Sequence, residues 1–333
     1  MIRLTWRQFR AQALVALGAL VVLAVVLAVT GPHLVHLAAG AGTTTFPGHY
    51  LFLHQALSFV VLAIPALIGI FWGAPLVARE LETGTFRLAW TQSVTRTRWL
   101  AVKLGLVGVS SLIVAGLFSL MVTWWSGPID RVNLNRFDAV WFGVRGLTPI
   151  GYAVFGFALG VTMGVLIRRI QPAMVTTIVA FIVARVAVTF WVRPHFMAPA
   201  HTSLTLTSPM VGISIVKGAS GTTVSASASI PNAWVYSAQI VDKAGHALSI
   251  QAVQSAIPNL GAVGSPHAHA VGQDFQAEFQ AGIAKLATTY HALVTYQPAS
   301  RYWAFQGLET AVFLGLALIL AGLCFWWMRR RLS

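Results

Sequence analysis

Six separate apolar runs, at residues 13–29, 51–72, 104–125, 147–167, 172–191 and 304–328, constrain this chain more than any other feature in it. A helix needs ~20 mainly apolar residues to cross a bilayer, and only helices or closed barrels satisfy their own backbone in hydrocarbon. The runs are continuous rather than alternating, so they predict helices. Composition agrees, with 57% hydrophobic and 9% charged residues and a mean hydropathy of +0.74, where soluble domains hold about 25% charge. The first run follows Arg3, Arg7 and Arg10 as a signal peptide would. It exceeds the ~7–15 apolar residues of a secretory signal, however, and further spans follow. It is expected to be the first span, and the protein class narrows to transporter, channel, membrane enzyme or membrane scaffold.

The net charge of +14 would suggest nucleic acid in a soluble protein, but the placement of the charges argues against such a partner. Six spans with the amino terminus inside put Arg3, Arg7, Arg10, Arg79, Arg87, Arg96, Arg98, Lys103, Arg168, Arg169, Arg329, Arg330 and Arg331 on one face. The longer loops of the other face hold only Arg131, Arg136, Arg145, Arg193, Lys217, Lys243, Lys285 and Arg301. Basic residues concentrate in short cytoplasmic loops, where they also meet anionic lipid. A multi-pass protein of a bacterial plasma membrane with both termini cytoplasmic is therefore expected. Trp72, Trp99, Trp124, Trp125, Trp191, Trp303, Trp326 and Trp327 lie near span ends, where interfacial anchoring favours them. All ten histidines fall on the outer side or at its boundary, and Cys324 is the only cysteine, so no intramolecular disulfide forms.

Residues 194–302 change character, with more Ser, Thr, Gly and Pro. Alternation predicts a strand at 222–230 and a hairpin of 233–241 with 247–253 across Asp242-Lys243-Ala244-Gly245. Phe275, Phe279, Ile283, Leu286, Tyr290 and Leu293 recur at spacings of three and four, which predicts an amphipathic helix over 273–294. The expected fold class is thus membrane all-α, with spans 1–5 in residues 1–193 and a small α+β extracellular domain at 194–302. The sixth span and a basic cytoplasmic tail occupy 303–333.

The stretch 73–103 between the second and third spans, GAPLVARELETGTFRLAWTQSVTRTRWLAVK, is too polar to span and too patterned for a passive loop. Arg79, Glu80 and Glu82 fall on a short helix that Gly84 can end in the left-handed conformation. Thr95 can cap the helix leading through Trp99 and Lys103 into the membrane. Phe86, Leu88 and Trp90 form an apolar edge suited to a partner, while the bland alternative is a solvated charge cluster beside the membrane.

These residues resemble the ABC-2 family of transporter permeases. That family carries an E-x-G-T element after the second span, then a leucine, a Ser/Thr-Arg pair and a lysine opening the third. Glu82, Gly84, Thr85, Leu88, Thr95, Arg96 and Lys103 match, while Val94 stands where the family usually has proline. The pattern from Gln297-Pro298 through Trp303, Gln306 and Glu309 resembles permeases common in actinobacteria. The resemblance implies that 73–103 holds a coupling helix, with Arg79, Glu80, Glu82, Thr83, Gly84, Thr85, Phe86 and Leu88 contacting a separate ABC ATPase subunit. It further implies a second permease subunit, identical or not, and export of a hydrophobic or amphipathic small molecule. ATP and Mg would then belong to the partner ATPase.

Arg185 and Glu309 are the two charges inside apolar spans, and each costs at least ~2.5–3.5 kcal/mol if isolated. An ion pair between them is expected, either structural or lining a translocation path. Gly156, Gly160 and Gly164 repeat every fourth residue, giving a smooth face for packing within the chain or against a second copy. His267 and His269 read as solvated loop residues rather than metal ligands, so no metal site is expected. No G-x-x-x-x-G-K-[ST], G-x-S-x-G or H-E-x-x-H occurs, so neither a P-loop ATPase nor a membrane enzyme is expected, and no catalytic residue or cofactor is assigned. A membrane sensor or scaffold with a ligand-binding outer domain and a proton-driven carrier remain as alternatives.

Overall fold

The computed structural model describes residues 2–40, 48–84, 95–130, 135–218, 221–257 and 272–331. The chain divides into two compact units, Met1–Met197 with Tyr302–Ser333 and Ala198–Arg301. The first unit is helical. Its elements are α1 (Ile2–Gly40), α2 (Gly48–Leu67), a π turn (Ile68–Gly73), α3 (Ala74–Thr83), α4 (Arg96–Asp130), α5 (Ala139–Gly143), α6 (Thr148–Ile167) and α7 (Ile170–Ala187). A second π turn (Val188–Val192) and a 3-10 turn (Arg193–His195) extend α7, and α10 (Tyr302–Arg331) completes the unit after the intervening second unit.

Six helical stretches are long and apolar enough to cross a membrane: Phe9–His33, Gln55–Thr83, Thr97–Gly127, Thr148–Ile167, Ile170–His195 and Ala299–Arg330. The protein is a multi-pass membrane protein. Leu14, Val15, Val22, Val25 and Val29 of α1 are exposed, as are Val175, Val179 and Val183 of α7. In water such faces would be unstable, but hydrocarbon is their natural solvent. Of the tryptophans expected at the interface, Trp124, Trp191, Trp303 and Trp326 are exposed, whereas Trp72, Trp99 and Trp125 are buried. Trp125 donates its indole N–H to Thr30 Oγ1 at 2.9 Å, and Trp72 meets Phe9 edge to face. Large aromatic rings fill the gaps between spans as readily as they anchor them.

The second unit holds an antiparallel sheet of β1 (Ala200–Thr205), β5 (Tyr290–Gln297) and β4 (Trp234–Asp242), in that order. A separate hairpin pairs β2 (Val211–Gly218) with β3 (Gly221–Ala228). Helices α8 (Ile250–Ala256) and α9 (Gly272–Leu286) complete the unit, and Val253, Ile257, Ile283 and Leu286 share a core with Leu206, Ile240, Ala292 and Val294. First and last strands are neighbours, and Arg301 donates to the Ala198 carbonyl at 2.6 Å, so the unit begins and ends at one place. Two local expectations change. Residues 247–253 make only one bridge, Val241 with Ala247, before Ser249 caps α8 by accepting from Ala252 N. The helix expected to 294 stops at Leu286, and the β-branched Thr288 and Thr289 turn the chain into β5. Tyr290 and Leu293 therefore belong to a strand, since aromatic and branched residues suit either period.

The helix α6 is the hub of the first unit, with 72% of its apolar window buried against 17–50% in the other five spans. Its expected glycine face meets the α2–α3 rod of the same chain. A Cβ on Gly156 would sit 2.5 Å from the Pro65 carbonyl oxygen, and one on Gly164 2.6 Å from that of Ala74. One on Gly160 would collide with the Gly69 carbonyl. Gly69 and Gly73 on the π turn return the contact, with Gly156 O and Phe157 O each 2.6 Å from a Cβ built there. Backbone lies against backbone along the whole seam. Gly160→Leu is expected to lower stability by about 1–3 kcal/mol or more, because neither backbone can yield. Gly315→Ala, with nothing within 4 Å, should be neutral or slightly stabilising. Thermal unfolding of both variants in detergent checks the contrast.

Candidate functional site

Two polar constellations stand out in the helical unit, one at each end of α6. The first surrounds α3. Pro75 lies in its first turn, where a missing N–H costs nothing, and Gly84 ends it at φ +72°. Ala74, Val77 and Ala78 bury its inner side. The opposite side carries Arg79, which is exposed. Because α3 continues α2 through the π turn without a break, it is an extension of a spanning helix rather than a separate loop element.

The two acidic residues expected to contact a partner subunit are both bonded within the chain. Glu80 pairs with Lys103 at 2.5 Å, and Lys103 also donates to the Leu76 carbonyl at 3.2 Å and lies 4.5 Å over the Trp99 ring. Only 4% of Lys103 is exposed. Glu82 accepts the N–H of Ile170 at 3.0 Å, capping the amino terminus of α7 where a helix favours negative charge. Thr83 donates back to the Arg79 carbonyl at 2.8 Å. Thr95 accepts from Arg98 N at 3.4 Å and so caps α4 as expected. Thus α3 is clamped to α4 by one carboxylate and to α7 by the other. Thr85, Phe86 and Leu88, with Trp90 and Val94, lie outside the described residues.

The second constellation is buried. Glu309 of α10, fully enclosed, receives Arg193 Nε at 2.6 Å and Nη2 at 2.8 Å in a bidentate pair, and the Tyr152 hydroxyl as a third donor. The Arg193 guanidinium stacks 4.1 Å over the Phe142 ring. Gln306, one turn earlier on α10, accepts the N–H groups of Leu147 and Thr148 at 3.0 Å each, satisfying the start of α6. Its amide donates to the Phe142 carbonyl at 2.9 Å.

The ion pair expected between Arg185 and Glu309 is therefore made by Arg193. On sequence grounds Arg193 counts as a loop residue, because it follows Trp191 and precedes Pro194. The π turn and 3-10 turn instead carry the helix on, leaving Arg193 only 1% exposed. Arg185 lies 4.2 Å over the Tyr152 ring, and its Nη1 is buried with no hydrogen-bond partner among the described residues. Tyr152 and Arg193 carry no motif that sequence reasoning can detect, and the carboxy-terminal pattern that includes Gln306 does not reveal its capping role. Among the described residues no group of three or more His, Cys, Asp or Glu is placed to hold a metal ion. His246 contacts Asp242 at 3.1 Å and His201 contacts Thr295 at 3.1 Å, while His267 and His269 lie outside the described residues.

A family model described as ABC-2 membrane transporter related matches residues 17–193, more than half of the chain. The protein belongs to that family and is a membrane transporter permease. No curated protein and no solved structure matches it. The matched range includes α3 and both of its clamps but ends at Arg193, so Glu309 and Gln306 fall outside it.

Removing one partner of a buried pair leaves an uncompensated charge, which typically costs about 3–5 kcal/mol. Glu309→Gln is expected to destabilise by that order. A double-mutant cycle of Glu309→Gln with Arg193→Met should show coupling of about 0.5–3 kcal/mol, and the cycle with Arg185→Met clearly less. Unfolding monitored in detergent micelles provides the measurement. Equal coupling in both cycles would contradict the assigned pairing.

Proposed function

We propose that this chain is the membrane half of an ABC exporter, driven by a separate ATPase subunit and working with a second permease subunit. In this reading both termini and α3 are cytoplasmic, in a bacterial plasma membrane, and residues 198–301 are extracellular. The concentration of basic residues beside α3 and at the termini supports that orientation. ATP and Mg act in the partner, since the chain carries no P-loop. The cargo is a hydrophobic or amphipathic small molecule.

One observation carries the coupling role. The helix α3 is continuous with α2, bonded to α4 through Glu80 and Lys103, and bonded to α7 through Glu82. A force applied to its outer side, where Arg79 is exposed, therefore reaches three spanning helices at once. Within this reading the contact surface is Arg79 with the Thr83–Leu88 stretch, while Glu80 and Glu82 transmit force rather than touch the ATPase.

The two roles separate experimentally. Co-expressed with a stand-alone ATPase encoded beside it, the protein should retain that subunit through purification. Arg79→Glu should weaken the association about tenfold. Glu80→Gln should leave association intact and lower ATP turnover stimulated by hydrophobic solutes. Failure to retain the ATPase, or ATP turnover indifferent to every solute together with no transport into vesicles, would sink the exporter reading.

A further inference from the structure

A cavity of about 530 Å³ lies between α2, α5 and α7. Its walls are apolar, built chiefly by Leu62 and Ala66 of α2, Val140 of α5, and Ile178, Phe181 and Ile182 of α7. Ile182 and Phe190 are more than half exposed along its rim, so it opens sideways toward the lipid-facing surface. Among the described residues that line it, Arg185 is the charged one.

The seat of Arg185 is specific. Its guanidinium stacks on Tyr152, and its Nη2 occupies the space a side chain would need at Gly143. Yet its Nη1 has no hydrogen-bond partner among the described residues. Glu309, the carboxylate beside Tyr152, accepts from Arg193 with both oxygens and from the Tyr152 hydroxyl as well, so among the described residues the two guanidiniums share a negative charge already saturated with donors. Asp138, at the start of α5, uses Oδ1 to cap its own helix. A low-dielectric site with one surplus positive charge attracts an anion. The apolar walls add that the anion must carry a hydrocarbon body. The volume falls in the ~300–1,000 Å³ range of small-molecule sites, and the second π turn at its edge is a local irregularity of the kind found at functional positions.

We propose that this cavity binds a small amphipath with a single anionic head, a phosphate ester or carboxylate, that enters from the membrane and places its head at Arg185. The inference rests on the permease reading and names the chemical class of its cargo.

The test uses the full chain in nanodiscs of zwitterionic lipid, with radiolabelled dodecyl phosphate as the probe. Dodecanol, inorganic phosphate and phosphatidylglycerol serve as competitors. Dodecyl phosphate should bind about tenfold more tightly than dodecanol, Arg185→Gln should bring the two to parity, and Ala63→Phe, which fills the cavity from its exposed wall, should weaken both. Melting temperatures report whether each variant folds, and Ala63→Phe carries the test if Arg185→Gln does not. A phosphate preference that survives Arg185→Gln overturns the proposal, as does binding unchanged by Ala63→Phe. So does inorganic phosphate competing as well as dodecyl phosphate, or phosphatidylglycerol displacing it more strongly. No ATPase is present in this assay, so its failure would leave the coupling reading standing, and failure of ATPase association would leave this site standing.

Discussion

Glu309 is a carboxylate within a hydrophobic helix, and the arrangement of the helices around the start of α6 follows from the need to satisfy it. A charge within hydrocarbon must be paired and hydrogen-bonded or it neutralises. Arg193 supplies two bonds, and Tyr152 a third, from helices far apart in sequence. To bring Arg193 within reach the chain departs from α geometry, widening into a π turn and then tightening into a 3-10 turn. Gln306 completes the arrangement by closing the start of α6 against α10. Such a pair adds little net stability over a well-packed apolar replacement. What it fixes is register, because a bidentate bond to one carboxylate permits only one setting of α7 against α10.

At the opposite end of α6 the constraint is steric. Glycines on α6 and on the first π turn bring backbones into direct contact, and α3 lies beyond that seam with its small residues Ala74 and Ala78 against Gly164. Pro65 lacks the N–H that a regular helix would direct at Val61, and the π turn begins three residues later. The same stretch that lets α2 approach α6 so closely also connects it to α3. Close packing and continuity are thus two results of one local sequence.

The spans were legible because hydrocarbon imposes a minimum length on every crossing helix, and 147–167 and 304–328 fall within three residues of α6 and α10 at each end. The Gly84 stop and the Thr95 cap were legible because their chemistry is local. Ion-pair partners were not, since Arg193 and Arg185 are both arginines on one continuous helix and only the turn geometry decides which one reaches Glu309. The bonds of Glu80 and Glu82 were not legible either, because they go to Lys103 and Ile170, residues that sequence distance hides. In the second unit, short amphipathic segments such as 247–253 satisfy both periods, and a single serine cap settles the matter for α8.

The two ends of α6 differ in how they can move. The seam of glycines resists separation but tolerates sliding, because smooth backbone faces offer no interlocking side chains, whereas the Glu309 pair resists any relative shift. The helix α3 is tied to α2 by continuity, to α4 by Glu80 and to α7 by Glu82, while Arg193 holds the far end of α7 to α10. Both α2 and α7 are prolonged by a π turn, and both flank the cavity that holds Arg185. Tyr152 of α6 links the two arginines' surroundings, meeting Arg185 with its ring face and Glu309 with its hydroxyl.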